Sequence, residues 1–589
     1  MRGDGRSISL ESVAWVTVLA IAASLRFYAL AGTPLDAPEA REALGAAAGT
    51  PQASAFWDTD VRPQPTSALY HVATHALFLV GGAGNGAARA LPALAGIVPL
   101  AIVWWCRRRL GSTQALFLGV WIAVSPAWLA SARTAGDTSL ALAAAFAAAA
   151  VAWDMSAQAP WPRKALLAIS LGLGLASGPA FLMAMPGVVL AWWLPRRFLR
   201  AGGASMGGGW KGRDLLEVAL WSFAASIAFA SGLGMIPSGV PVLFSGIRAW
   251  LTGWIQSGDL GVGTAMLDFF AYEPLIFALG ILGAVGSLRR NNRGDRMLVI
   301  WGILALVVFL VYPGRRSEDI LWPLLPLGIL AAQALQREVE ASEHVGFPWA
   351  AAGLWAALAL IAAFVHQQLS AYLSGIGPGA AVDLPELRLP IALGALGIAL
   401  VVTVLVGFGW DWATARYAAF GGVASVLLML TVSASWHLNL SGDRDLGAEL
   451  WRPIQAATGI TRLRQTLESL GLSQTGERVL PVALKGTDAP AVLAWALRAF
   501  PVYVSPEGAA GQAPPVVLQP EGIPLPRLPA QYLGQGVTLE QAWGWEGPWP
   551  PDLLRWWLRR SAPLVSQRWV LYVREDVATL TPPEIDSLP

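Results

Sequence analysis

Long apolar runs broken by short, arginine-bearing polar connections fill most of this chain. Runs of about 17 to 23 residues are long enough to cross the hydrocarbon core as helices. They predict spans near residues 10–30, 88–106, 113–131, 138–154, 164–180, 180–194, 214–235, 269–288, 296–312, 318–336, 349–369, 389–408 and 414–436. The first run carries no small-residue cleavage site and is long enough to span, so it reads as a retained helix and not a removed signal. From about Leu438 the pattern changes: apolar runs shorten and prolines multiply. "AELWRPIQAATGITRLRQTLESLG" reads as an amphipathic helix, "RVLPVALK" as a strand, "PAVLAWALRAF" as a helix, "PPVVLQP" as a strand, "PDLLRWWLRRS" as a helix and "RWVLYVRED" as a strand. Helices alternating with strands predict a small α/β layer. The fold class is therefore mainly α, with residues 1–437 forming a polytopic transmembrane helix bundle and 438–589 a small α/β domain.

Composition agrees with a membrane solvent. Of 589 residues 55% are hydrophobic and only 13% charged, with a mean hydropathy of +0.52, a balance foreign to a water-soluble globule of this length. The formal charge of +2 is dispersed, which argues against a nucleic-acid partner. Cys106 is the single cysteine, so neither an intramolecular disulfide nor a thiolate metal cluster forms. "AGGASMGGGWKG" lacks the preceding strand and following Gly-Lys-Ser/Thr of a phosphate cradle and reads as a linker.

Charge sets the orientation. Arginine and lysine favour cytoplasmic connections, and the clusters are Arg107 to Arg109; Arg163 and Lys164; Arg196, Arg197, Arg200, Lys211 and Arg213; and Arg289, Arg290, Arg293 and Arg296. All of these fall inside only if the apolar stretch Ser67 to Val80 does not cross, so it is expected to lie in the interface. That gives about thirteen spans, a cytoplasmic N-terminus and an extracytoplasmic C-terminal domain. The protein is then a multi-pass component of the cell (plasma) membrane, surrounded by membrane lipids. The first loop, 31–87, is external.

Candidate chemistry lies in the external connections. "TPLDAPEAREA" packs Asp36, Glu39 and Glu42 into seven residues, of which Asp36 to Glu39 match a capping box. Carboxylates at the lip of a bundle also take a proton from an acceptor hydroxyl or hold a metal beside a phosphate. Arg133 and Asp137 in "SPAWLASARTAGDTSLAL" fall on the same face. Arg315 and Arg316 head a later span, where guanidinium groups grip a lipid phosphate or anchor in headgroups. His71 and His75 stand four apart without the Glu or third ligand of a zinc site. Trp543, Trp545, Trp549, Trp556 and Trp557 suit sugar stacking and interfacial packing equally.

"LRFYALAGTPLDAPEAREA", "RPQPTSALYHVATHALFLVGGAGNGAARALPALAGIVPLAIVWWCRRRLG" and "SPAWLASARTAGDTSLAL", in that order over roughly residues 20–155, with a fainter echo in "YPGRRSEDILWPLLPLGILAA", resemble the GT-C class of polyprenyl-phosphate-sugar-dependent glycosyltransferases, which holds the protein O-mannosyltransferases and aminoarabinose transferases. The resemblance implies transfer of a sugar from a polyprenyl-phosphate donor to an external protein, lipid or glycan acceptor. Carried over, the family's first-loop Asp-Glu falls on Pro38 and Glu39, its second-loop Asp on Asp137 after Arg133, and its basic residue before two prolines on Arg62. It implies Glu39 as acceptor base or metal contact, Asp137 as its partner and Asp36 as a reserve. Arg133, Arg62, Arg315, Arg316 and His71 would serve substrate, and Mg or Mn is the cofactor left open. The loss of the Asp at Pro38 favours one alternative, a catalytically degenerate GT-C-like scaffold or flippase-associated protein.

Overall fold

A computed structural model describes residues 9–48, 50, 65–153, 155, 159–198, 212–258, 260–290, 293–342, 348–374, 385–441, 449–485, 489–504, 513–524 and 530–578. The first half runs α1 (Leu10–Phe27), α2 (Ala37–Ala47), α3 (Ala68–Gly81), α4 (Asn85–Ala95), α5 (Val98–Leu110), α6 (Ser112–Val124), α7 (Pro126–Arg133), α8 (Thr138–Ala152), α9 (Trp161–Ser177) and α10 (Pro179–Phe198). Then follow α11 (Gly212–Ala230), α12 (Gly239–Thr252), α13 (Val262–Tyr272), α14 (Pro274–Arg290), α15 (Arg293–Val311), α16 (Leu321–Ser342), α17 (Pro348–Ser374), α18 (Pro385–Gly409) and α19 (Trp412–Asn439). Every stretch expected to span falls on one of these helices or on an abutting pair. Among the described residues seven helices have the length and apolarity to cross, or up to nine if each of two bent pairs is one span.

The interfacial stretch is helical as α3, and it does not traverse the bundle. Just before it, Thr66 donates to Glu42 of α2 through N–H at 2.7 Å and Oγ1 at 2.6 Å. Just after it, Asn85 donates to the Thr33 carbonyl at 3.2 Å and accepts from Trp495 Nε1 at 2.8 Å. Both of its ends are thus held at the same end of the molecule, beside α2 and the C-terminal part.

The two bent pairs show how apolar surroundings force backbone accounting. α6 and α7 meet at 53°. Pro126 has no N–H to give the Ile122 carbonyl four residues earlier, and an orphaned carbonyl is costly away from water. Arg26, fully buried in α1, supplies the donor instead, with Nη2 2.9 Å from the Ile122 oxygen. α13 and α14 meet at 94° around Glu273. The Glu273 carboxylate caps the start of α7, accepting from Ala127 N–H at 3.3 Å, Trp121 Nε1 at 3.0 Å and the Ser125 hydroxyl. The α6–α7 break is therefore closed from two distant places, by Arg26 of α1 and by Glu273 at the α13–α14 bend.

Beyond α19 lies a six-stranded sheet in the order β1 (Ile454–Ala456), β5 (Tyr532–Trp543), β6 (Leu564–Arg574), β4 (Val516–Pro520), β2 (Val482–Leu484) and β3 (Val502–Val504). β2 runs parallel to both β3 and β4, and the other pairings are antiparallel. Leu463, Leu467 and Leu470 of α20 (Gly459–Thr475) and Leu493 of α21 (Ala491–Ala496) pack on its Val482, Leu484, Val516, Leu518 and Leu571. The expected helix-on-sheet layer is present, but "AELWRPIQAATG" opens with strand β1, and β3 and β5 were not anticipated. The same apolar cluster takes in Leu35, Ala40, Ala43 and Leu44 from α2 and its approach. The first-loop helix is thereby clamped between the bundle and the sheet.

Candidate active site

Three connections meet at the end of the bundle that carries the sheet: α2, the turn between α7 and α8, and the turn between α15 and α16. Asp137 is the junction of the last two. Its carboxylate is 2% exposed and faces the Arg316 guanidinium, with Nη1–Oδ1 3.0 Å and Nη2–Oδ2 3.3 Å. Oδ2 also accepts the Ala180 N–H at 2.8 Å, so the carboxylate sits at the start of α10, where an anion is favoured. Gly178 makes this approach available: its φ is +115°, and a Cβ there would lie 2.9 Å from the Thr66 oxygen and 3.4 Å from Asp137 Oδ2. Arg316 is exposed, while the charge that holds it is buried.

The structure gives the first-loop acids a different part from the one expected. Glu39 is 2% exposed, and both of its oxygens are taken: Arg89 Nε lies 2.8 Å from Oε1 and Nη2 2.6 Å from Oε2. The Ala135 N–H adds 2.8 Å to Oε1 and the Asp36 N–H 3.0 Å to Oε2. Although burial alone would raise it, the adjacent Arg89 guanidinium holds this carboxyl down at about 2. A group so weakly basic and so fully bonded is a poor proton acceptor; its geometry is that of a strut tying α2 to α4 and to the turn before Asp137. Asp36 completes the capping box of α2 and accepts the Ala456 N–H of β1 at 2.8 Å, with Arg452 Nε at 3.6 Å. It fastens the loop to the sheet.

Two of the arginines are likewise spent on backbone. Arg133 Nη1 reaches the carbonyls of Leu25 at 2.8 Å, Arg26 at 3.3 Å and Tyr28 at 2.8 Å, closing the C-terminus of α1. Arg315 does the same for α15, bonding Leu310 at 2.9 Å and Phe309 at 3.2 Å, and also Leu260 at 2.8 Å. Both are 8% exposed; Arg315 spends all three of its nitrogens on backbone carbonyls, whereas Arg133 spends Nη1. His71 lies on α3, stacked on His75, with Nε2 3.5 Å from the Ser238 hydroxyl. Arg62 lies outside the described residues. Of the residues singled out in the sequence, Asp137 and Arg316 come together, as do Asp36 with Glu39 in the cap of α2 and His71 with His75 on α3.

Two half-buried acids accompany them. Glu318 accepts from the Thr138 hydroxyl, next to Asp137. Glu42, one helical turn beyond Glu39, holds Thr66 through Oε1, while among the described residues Oε2 receives only the Ser67 N–H at 3.4 Å. Burial, reinforced by the charge of Asp137, pushes Glu42 up to about 7 against the lowering effect of its hydrogen bonds from Thr66 and Ser67. The signal for Glu42 was present in the sequence as the third carboxylate of "DAPEARE"; that for Glu318 was its place two residues after Arg316. Among the described residues no three His, Cys, Asp or Glu side chains gather as metal ligands, and the charge of Asp137 is already met by Arg316. Among the described residues this arrangement does not fit a divalent cation.

The bundle with its appended sheet is a GT-C-like fold. It matches over its whole length the crystal structure of ArnT from Cupriavidus metallidurans, in the apo state and bound to undecaprenyl phosphate. For the apo form the TM-score is 0.52 at 16% identity, covering 97% of this chain and 100% of that one. An oligosaccharyltransferase from Archaeoglobus fulgidus matches with a TM-score of 0.42 at 13% identity over 85% of this chain and 65% of that one. No family model and no curated protein sequence matches. With its apolar helices, this fold makes the chain an integral membrane protein.

Proposed function

We propose that the protein is a membrane glycosyltransferase that moves a sugar from a polyprenyl-phosphate donor to an acceptor hydroxyl on the extracytoplasmic side. The observation that carries this reading is Arg316, an exposed guanidinium held by a buried carboxylate where three connections converge. Asp137 occupies one edge of the guanidinium and fixes its plane, Asp319 lies 3.8 Å from Nη2, and the donors left on the exposed side suit a lipid phosphate. The ArnT structure that holds undecaprenyl phosphate shares the fold, which supports a ligand of this class.

In the reaction the acceptor oxygen attacks the anomeric carbon, its proton passes to a protein base, and the bond from that carbon to the phosphate oxygen breaks. The electron pair stays on the departing lipid phosphate, whose growing charge Arg316 stabilises. Apolar spans hold the isoprenoid tail while the polar end admits the acceptor. The test is binding of undecaprenyl phosphate to the purified protein, read by native mass spectrometry. Losing one charge-assisted contact costs about 1.5–3 kcal/mol, so Arg316→Ala is expected to weaken binding about 10- to 150-fold. Arg108→Ala, at the other end of the span Asn85–Leu110, leaves binding unchanged. Equal binding by wild type and Arg316→Ala contradicts the assignment.

A further inference from the structure

Resting on the transferase reading, a second question is which group takes the acceptor's proton, since Pro38 stands where the resembling family has an acid and Glu39 is bonded on both oxygens. We infer that Glu42 is the general base, a residue no family pattern assigns and one displaced by one helical turn from the expected position.

The candidates separate by what their oxygens already do. Asp36 spends Oδ1 on the sheet and Oδ2 on Arg452. Asp137 is buried against Arg316 and the start of α10. Glu318 is half-buried, but it stands two residues from Arg316 on the same turn. In an in-line displacement the base approaches the anomeric carbon from the side opposite the leaving phosphate, so a base on the phosphate-binding turn is badly placed. Glu42 stands on a different connection, linked to Arg316 through Thr66, Gly178 and Asp137 in turn. It is half-buried, and among the described residues its Oε2 has one hydrogen-bond contact, longer than the 2.7–3.2 Å of an ordinary N–H···O bond. Thr66 Oγ1 and N–H fix Oε1, which orients Oε2. The charged and titratable groups facing it are Asp137, from the turn before α8, and Tyr70, from α3. With its carboxyl at about 7, Glu42 is ionised above neutrality and still basic enough to accept a proton.

The step balances without a co-reactant: Glu42 Oε2 gains the hydroxyl proton, the new bond joins the acceptor oxygen to the anomeric carbon, and the lipid phosphate leaves with the bonding pair. Purified protein is given undecaprenyl-phosphate-linked mannose and aminoarabinose with peptide and lipid acceptors, and release of undecaprenyl phosphate is followed from pH 5 to 9. For wild type kcat/KM should rise with pH through about 7. Glu42→Gln should lose about 10²- to 10⁴-fold in kcat and lose that acid limb, while binding undecaprenyl phosphate within two-fold of wild type. Glu42→Asp, which keeps the carboxyl but retracts it, should recover part of the rate. If wild type transfers sugar and Glu42→Gln keeps its rate, Glu42 is not the base and the transferase reading stands. If wild type transfers nothing, both fall and the scaffold alternative gains. Loss of lipid binding in both Glu42 variants would make the residue structural and overturn the inference.

Discussion

Glu39 and Glu42 lie three residues apart on one short helix, yet one is a strut and the other is half-buried with a weakly bonded oxygen. The difference follows from Arg89, fifty residues along the chain, whose guanidinium binds Glu39 on both oxygens. Removing one member of a buried ion pair costs about 3–5 kcal/mol. Glu39→Gln should therefore lower the melting temperature sharply, and Arg89→Met should lower it at least as much, because Arg89 also donates to the carbonyls of Leu30, Thr33 and Pro34. The carboxyl of Glu39 is depressed in the folded protein, so its stabilisation is present above the unfolded value near 4.5 and disappears as pH falls toward about 2. Wild type should lose thermal stability across that window, and Glu39→Gln should lose less of it; parallel pH profiles would contradict the strut. This contrast marks a limit of the sequence. Residue types and their order located α2, its cap, Asp137 and Arg316. Which face of a one-face helix opens toward the site depends on a partner from another span, a contact that no local spacing encodes.

At the scale of elements, helix existence was legible because membrane spans are long, apolar and bounded by charge, whereas bends were not. The break at Pro126 is visible in the sequence, but its compensation by Arg26 belongs to a different helix. Leaving the Ile122 carbonyl without a donor costs about 1–3 kcal/mol. Arg26→Leu should destabilise the protein by that amount in a detergent melting assay, and adding Pro126→Ala, which returns an N–H to the same carbonyl, should restore it. An unrescued double variant would show that Arg26 acts elsewhere. The sheet was read less completely than the bundle. β5 contains Gly534 and Gly536 and keeps most of its residues exposed or half-buried, so the alternation that announces a strand is absent. β1 and β3 are three residues long, too short to carry a period.

For the whole molecule, convergence of the first loop, the α7–α8 turn, the α15–α16 turn and the sheet at one end is what makes a site possible. Loop charge alone placed these connections on one face, and α3, with both its ends held beside α2 and the sheet, keeps them there. Which side of the membrane this face meets follows from the arginine clusters at the other end. In a Cys106→Ser background, a cysteine introduced for exposed Glu546 should react with an impermeant maleimide in intact cells, and one introduced for exposed Arg108 should not; the reverse pattern inverts the topology.

The claim at the centre, that a lipid phosphate held by Arg316 departs as its sugar is transferred, meets its most direct test in a single-turnover assay. Purified protein is mixed with undecaprenyl-phosphate-linked mannose or aminoarabinose and the acceptor panel, and sugar and lipid are followed together. Equal amounts of glycosylated acceptor and free undecaprenyl phosphate, both abolished by Arg316→Ala, are the expected result. Transfer that survives intact in Arg316→Ala, or donor that stays whole with wild type, contradicts it.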